Sequence, residues 1–94
     1  NFYGVMYNPN EKAERIVIRA YPPLIHYLRT LPLHHSQKEL EGKGDYADFE
    51  YYLYPTFDFL QELFSQMYDL EVLKPAHLRE EMKRRLAKTM ERYE

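Results

Sequence analysis

Arg19-Ala20-Tyr21-Pro22-Pro23-Leu24 and Tyr52-Leu53-Tyr54-Pro55-Thr56-Phe57 share one design: each closes an alternating apolar run with Tyr-Pro and then opens a run of helical spacing. Alternation is the period of a strand buried on one face, and proline stops its hydrogen-bond ladder. Two such βα half-units in 94 residues predict one compact α+β domain, because a chain of this length closes a single small core.

Working outward from the first half-unit, Arg15 to Tyr21 alternates Ile16, Ile18 and Ala20 against Arg15, Val17, Arg19 and Tyr21. Pro23 suits a first helical turn, and Leu24, Leu28 and Leu31 recur at helical spacing before Pro32. The polar stretch from Leu33 to Glu41 meets Gly42-Lys43-Gly44-Asp45, which predicts a hairpin whose first arm is an edge strand guarded by Lys38 and Glu39. Ala47 to Tyr54 is the strongest strand. It sets Phe49, Tyr51 and Leu53 against Asp48, Glu50, Tyr52 and Tyr54.

In the second half-unit Thr56 can N-cap a helix with Asp58 in its first turn and Leu60, Leu63, Phe64 and Met67 as its apolar stripe. Leu70 to Leu73 is a short fourth strand. Pro75 starts a last helix with the stripe Leu78, Met82, Leu86 and Met90 and the four-residue pairs Glu80–Arg84 and Glu81–Arg85. The order β-α-β-β-α-β plus a helix is the ferredoxin-like split βαβ with an additional C-terminal helix. Right-handed crossovers place the first and third strands at the sheet centre and the polar second strand at an edge. With both crossover helices over Ile16, Ile18, Phe49, Tyr51 and Leu53, the opposite face is open. It presents Arg15, Val17, Arg19, Tyr21, Glu50, Tyr52 and Tyr54, of which Arg15, Arg19, Tyr21, Tyr52 and Tyr54 are the candidate ligand or interface residues.

Composition narrows the chemistry. The chain has ten Tyr, no Trp and no Cys, which removes disulfides and thiolate sites and fits a reducing cytoplasm. A formal charge of −2 gives no overall pull toward nucleic acid or anionic lipid. There is no membrane-length apolar run. The chain opens at Asn1 on the aromatic run Phe2 to Tyr7, followed by Asn8-Pro9-Asn10 and a charged link from Glu11 to Glu14. Residues 1–14 therefore read as a tail or linker from a missing preceding domain, and 15–94 as the folded unit.

Leu31-Pro32-Leu33-His34-His35-Ser36-Gln37, the Tyr-Pro-Thr strand end, and Glu71-Val72-Leu73-Lys74-Pro75 with Leu78-Arg79 resemble the C-terminal extension, or WCX domain, of WYL-domain transcriptional regulators. The resemblance runs from about Arg15 to the C-terminus. It implies a bacterial regulator in which a helix-turn-helix domain and an SH3-like WYL domain precede this one. It further implies a homo-oligomer, contacts between subunits, support of the adjacent sensor domain, and DNA binding only through the missing N-terminal domain. The Trp-Tyr-Leu tripeptide and the family's basic effector-site residues are not in this chain, so no effector site is carried over. Residues 1–7 correspond to the tail of the WYL domain or the connection out of it.

Other chemistries are weaker. Lys43 to Tyr51 is faintly similar to the RNP1 motif of RNA-recognition domains, which makes a free-standing module binding nucleic acid or a small ligand on its open sheet the alternative function. Asp45, Asp48 and Glu50 there repel phosphate. His34 and His35 face opposite ways on a strand, and His77 with Glu81 are too few for a metal site, so neither metal nor cofactor is expected. Ser36 beside His35 lacks an oxyanion loop, so no enzyme is expected. The basic residues of the last helix interleave with Glu80, Glu81, Glu91 and Glu94, which fits a solvated face better than a DNA-reading one.

Overall fold

A computed structural model describes residues 13–94. The expectations for Phe2 to Tyr7 and for the link up to Lys12 lie outside the described residues. The elements run β1 (Glu14–Ala20), α1 (Leu24–Thr30), β2 (Lys38–Lys43), β3 (Tyr46–Leu53), α2 (Phe57–Ser65), a 3-10 turn (Met67–Asp69), β4 (Leu70–Lys74) and α3 (Ala76–Glu91). The antiparallel sheet has the order β2-β3-β1-β4. This is the expected ferredoxin-like split βαβ arrangement with its extra helix. The two most apolar strands, β1 and β3, hold the centre, where both neighbours bury them.

One face of the sheet makes the core. Ile16, Ile18, Ala20, Ala47, Phe49, Tyr51 and Leu53 pack with Leu24, Ile25 and Leu28 of α1, Phe59 and Leu63 of α2, and Leu78 and Met82 of α3. Burying each large apolar side chain stabilises by about 1.5–3 kcal/mol, so this face decides the register. β1 pairs with β3 from Glu14↔Leu53 to Ala20↔Ala47; a slip of one residue would turn every core side chain to the other face. Helix α2 begins as expected: the Thr56 hydroxyl accepts from Phe59 N–H at 3.3 Å, and Asp58 sits in the first turn.

Several local expectations are corrected. β2 covers Lys38–Lys43 rather than starting at Leu33, and residues 33–37 form a turn. The reason is chemical: Gln37 N–H donates to His34 C=O at 3.0 Å, and the side chains of Ser36 and Gln37 bond inward and across to other elements. In α1 the buried set is Leu24, Ile25 and Leu28, while Leu31 caps the helix 57% exposed. In α2 Phe59 and Leu63 are buried and Leu60 and Phe64 only partly so, while Met67, expected to extend this stripe, lies in the 3-10 turn and is also partly buried. Glu80 meets Lys83, not Arg84, and Arg84 joins Arg85 on Glu81. Leu86 and Met90 continue the stripe of α3 but stand exposed, because the core ends at Met82.

Candidate functional site

The face of the sheet away from the helices is a ladder of paired charges. Alternation in two antiparallel strands carries Arg15 and Arg19 of β1 to the same side as Asp48 and Glu50 of β3. Arg19 forms a fork with Asp48: Nε donates to Oδ1 at 2.8 Å and Nη2 to Oδ2 at 3.1 Å. Its guanidinium carbon also lies 4.1 Å from the centre of the Tyr46 ring, a cation–π position. The bonds to Asp48 push Arg19 still further above its ordinary value. Arg15 Nε donates to Glu50 Oε2, its diagonal neighbour across the two strands. At the β4 side, Glu71 accepts from Arg79 Nη1 of α3 at 2.8 Å and from the Tyr21 hydroxyl at 3.4 Å. Arg79 Nη1 reaches the Val72 C=O as well, at 2.8 Å.

Val17, which the alternation assigns to this outward face, is only 5% exposed although it lies outside the main core cluster. The register sets it beside Glu50, between the two arginines, so an apolar floor underlies the ion pairs. Tyr52 stands opposite Arg15 and is 63% exposed. Four of the five candidate residues are thus Arg15, Arg19, Tyr21 and Tyr52 along β1, its exit and β3. Tyr54 is displaced: it follows the end of β3 and lines a cavity of about 420 Å3 with His34, Phe59 and Glu62. The strand ends one residue too early for Tyr54 to join the ladder.

The RNP1-like positions point the wrong way for base stacking. Phe49 and Tyr51 are buried in the core, and Tyr46 is covered by Arg19. Asp48 and Glu50, expected to repel phosphate, hold Arg19 and Arg15. Antiparallel pairing of two alternating strands was the signal for these partners; it needs the register, which no local motif carries.

The second polar centre is the 33–37 turn. His34 Nδ1 accepts from Ser36 N–H at 3.1 Å and lies 2.8 Å from Ser36 Oγ. That oxygen accepts from Tyr52 N–H at 3.0 Å, closing the stretch of β3 edge that β2 does not reach. Gln37 Nε2 donates to Leu28 C=O at 2.8 Å, and its Oε1 accepts from Leu33 N–H at 3.2 Å and from the Tyr51 hydroxyl at 2.6 Å. Burial pushes the Tyr51 phenol well above its ordinary range. The His34 ring is 4.1 Å from His35 and edge-on to Phe59 at 6.5 Å. Burial, then the charge of His35, lowers its affinity for a proton. The turn is therefore a fastening: Ser36 and His34 are joined, yet both are committed to backbone groups.

His77 Nε2 lies 2.6 Å from Glu14, while Glu81 serves Arg84 and Arg85. Among the described residues no group of three or more His, Asp or Glu could hold a metal ion, and no helix is long and apolar enough to cross a membrane.

The family model described as the WCX domain matches residues 12–90. No match was found among curated proteins or among solved structures.

Proposed function

The chain belongs to the WCX domain family, which is associated with WYL-type regulators, and from that premise we infer that it is the C-terminal domain of a bacterial WYL-type transcriptional regulator. In this reading it is non-enzymatic, it joins subunits, and it transmits an effector signal from the preceding sensor domain, while DNA is bound by a separate N-terminal domain. The open sheet face carries the contact with the preceding domain or a sister subunit.

The observation that supports this reading is the state of the charges on that face. Arg15, Arg19 and Arg79 are each matched by a carboxylate, Glu50, Asp48 and Glu71, so little net positive charge is left for a phosphate backbone. An internally neutralised surface with an exposed ring at Tyr52 suits packing against protein. Tyrosine supplies large contact area there at low conformational cost.

The test is Tyr52→Ala and Arg19→Ala in the intact regulator, read by sedimentation for self-association and by limited proteolysis for domain contact. Either substitution is expected to weaken one of these contacts, by about tenfold in Kd where the residue is central to it. A salt-sensitive complex of the chain with single-stranded nucleic acid would refute the reading and favour the free-standing binding module. So would an unchanged assembly and proteolysis pattern in both variants.

A further inference from the structure

Three cavities of about 370, 200 and 420 Å3 follow one another from α1 past the 33–37 turn to the start of α2, the first two sharing Tyr27 and the last two sharing Leu33 and Glu62. Together they form a groove with two unlike walls. The α1 side is apolar, built from Pro23, Leu24, Tyr27, Leu31 and Pro32, with Tyr27 and Leu31 46% and 57% exposed. The other side carries Asp58, Glu62 and Asp69. No side-chain ion pair engages those three carboxylates among the described residues.

The same chain holds a segment of the opposite character. From Lys83 onward every residue of α3 and the tail after it is exposed. Leu86, Met90 and Tyr93 extend the stripe of Leu78 and Met82 past the core, 44%, 62% and 84% exposed. At 3.6 residues per turn, Arg85 and Arg92 fall to one side of this stripe, Ala87 and Glu91 to the other, and Lys88 towards the back of the helix. Arg85 is engaged at home, stacked 4.2 Å over the Phe64 ring and bonded to Glu81. Lys88 and Arg92 have no ion-pair partner among the described residues. The helical part of the segment, nine residues from Lys83 to Glu91, is about 13 Å long, the same as the nine residues of α2 that wall the groove.

We propose that the exposed end of α3 from a second copy of this chain lies in the groove between α1 and α2. Its stripe of Leu86, Met90 and Tyr93 rests on the apolar wall, and its Arg92 side faces Asp58, Glu62 and Asp69. Reciprocal exchange of the two ends closes a two-fold dimer. The inference rests on the proposed subunit-joining role and assigns that role to the helical layer, which leaves the sheet face to the preceding domain.

The chain has no Cys, so an introduced pair reports without background. Tyr27→Cys with Met90→Cys in one chain is expected to yield a covalent dimer on oxidation, with neither single variant doing so. Reversing the wall (Asp58→Lys with Glu62→Lys) or the arm (Lys88→Glu with Arg92→Glu) is expected to raise the dimer Kd by about tenfold or more. Mixing wall-reversed with arm-reversed chains restores association on both exchanged arms, and so does combining all four changes in one chain. A crosslink confined to monomers, or reversals that leave Kd unchanged while Tyr52→Ala dissolves the dimer, would overturn this proposal and leave the subunit-joining role standing. A chain and an intact regulator that both stay monomeric at high concentration would overturn the two together.

Discussion

Replacing Gln37 with methionine keeps most of its volume and removes three hydrogen bonds at once. The Tyr51 hydroxyl, 2.6 Å from Gln37 Oε1, belongs to a residue with no exposed surface, so water cannot replace the lost acceptor without opening the core. The Leu28 C=O, 2.8 Å from Nε2, is one of the last carbonyls of α1 and has no helical partner to fall back on. The Leu33 N–H lies closer to solvent and loses less. A buried polar group left without a partner costs about 1–3 kcal/mol; two such groups and a partly exposed third bring the expected loss to about 3 kcal/mol. For a domain of this size that is a fall in Tm of roughly 12–24 °C. Urea and thermal unfolding of wild type, Gln37→Met, Tyr51→Phe and the double variant measure it. Tyr51→Phe alone should cost about 1 kcal/mol, and the cycle should show a coupling of about 1–2 kcal/mol. A loss under about 0.5 kcal/mol for Gln37→Met, or strict additivity in the cycle, would refute the claim that this turn is fastened through Gln37.

His34 binds a proton less readily folded than unfolded, so its contribution is complete above the ordinary histidine value of about 6.5 and is lost as pH falls below it; Tm should drop from pH 7 to pH 5 more in wild type than in His34→Asn, whose carbonyl accepts like Nδ1 without titrating, and parallel curves would exclude His34. Thr56→Ala removes the N-cap bond to Phe59 N–H and should cost about 1 kcal/mol by urea unfolding, an unchanged midpoint showing that the cap is idle.

One of the motifs that carry the family resemblance, Leu31 to Gln37, holds side chains that fasten the domain rather than ones left free to act. Ser36 closes an unpaired β3 edge, and Gln37 joins α1 to the buried Tyr51. None of this could be read locally, since the partners lie nine to sixteen residues away and on different elements. The stretch therefore read as an edge strand, its polarity mistaken for that of a solvated ladder. The ion pairs of the open face were half legible: alternation placed Arg15, Arg19, Asp48 and Glu50 outward, but only the register turned mutual neighbours into partners.

The amino-acid order by itself determined the element sequence, the central places of β1 and β3, and which side of those two strands meets the helices. Those properties rest on periodicity and on Tyr-Pro boundaries, and both act within a few residues. Tertiary structure alone decided that Tyr54 leaves the sheet, that the charges of the open face neutralise one another, and that an acid-walled groove faces outward while the basic end of α3 stands free. Such properties depend on which residues meet across the fold, and the same alternation is compatible with many registers until a core selects one.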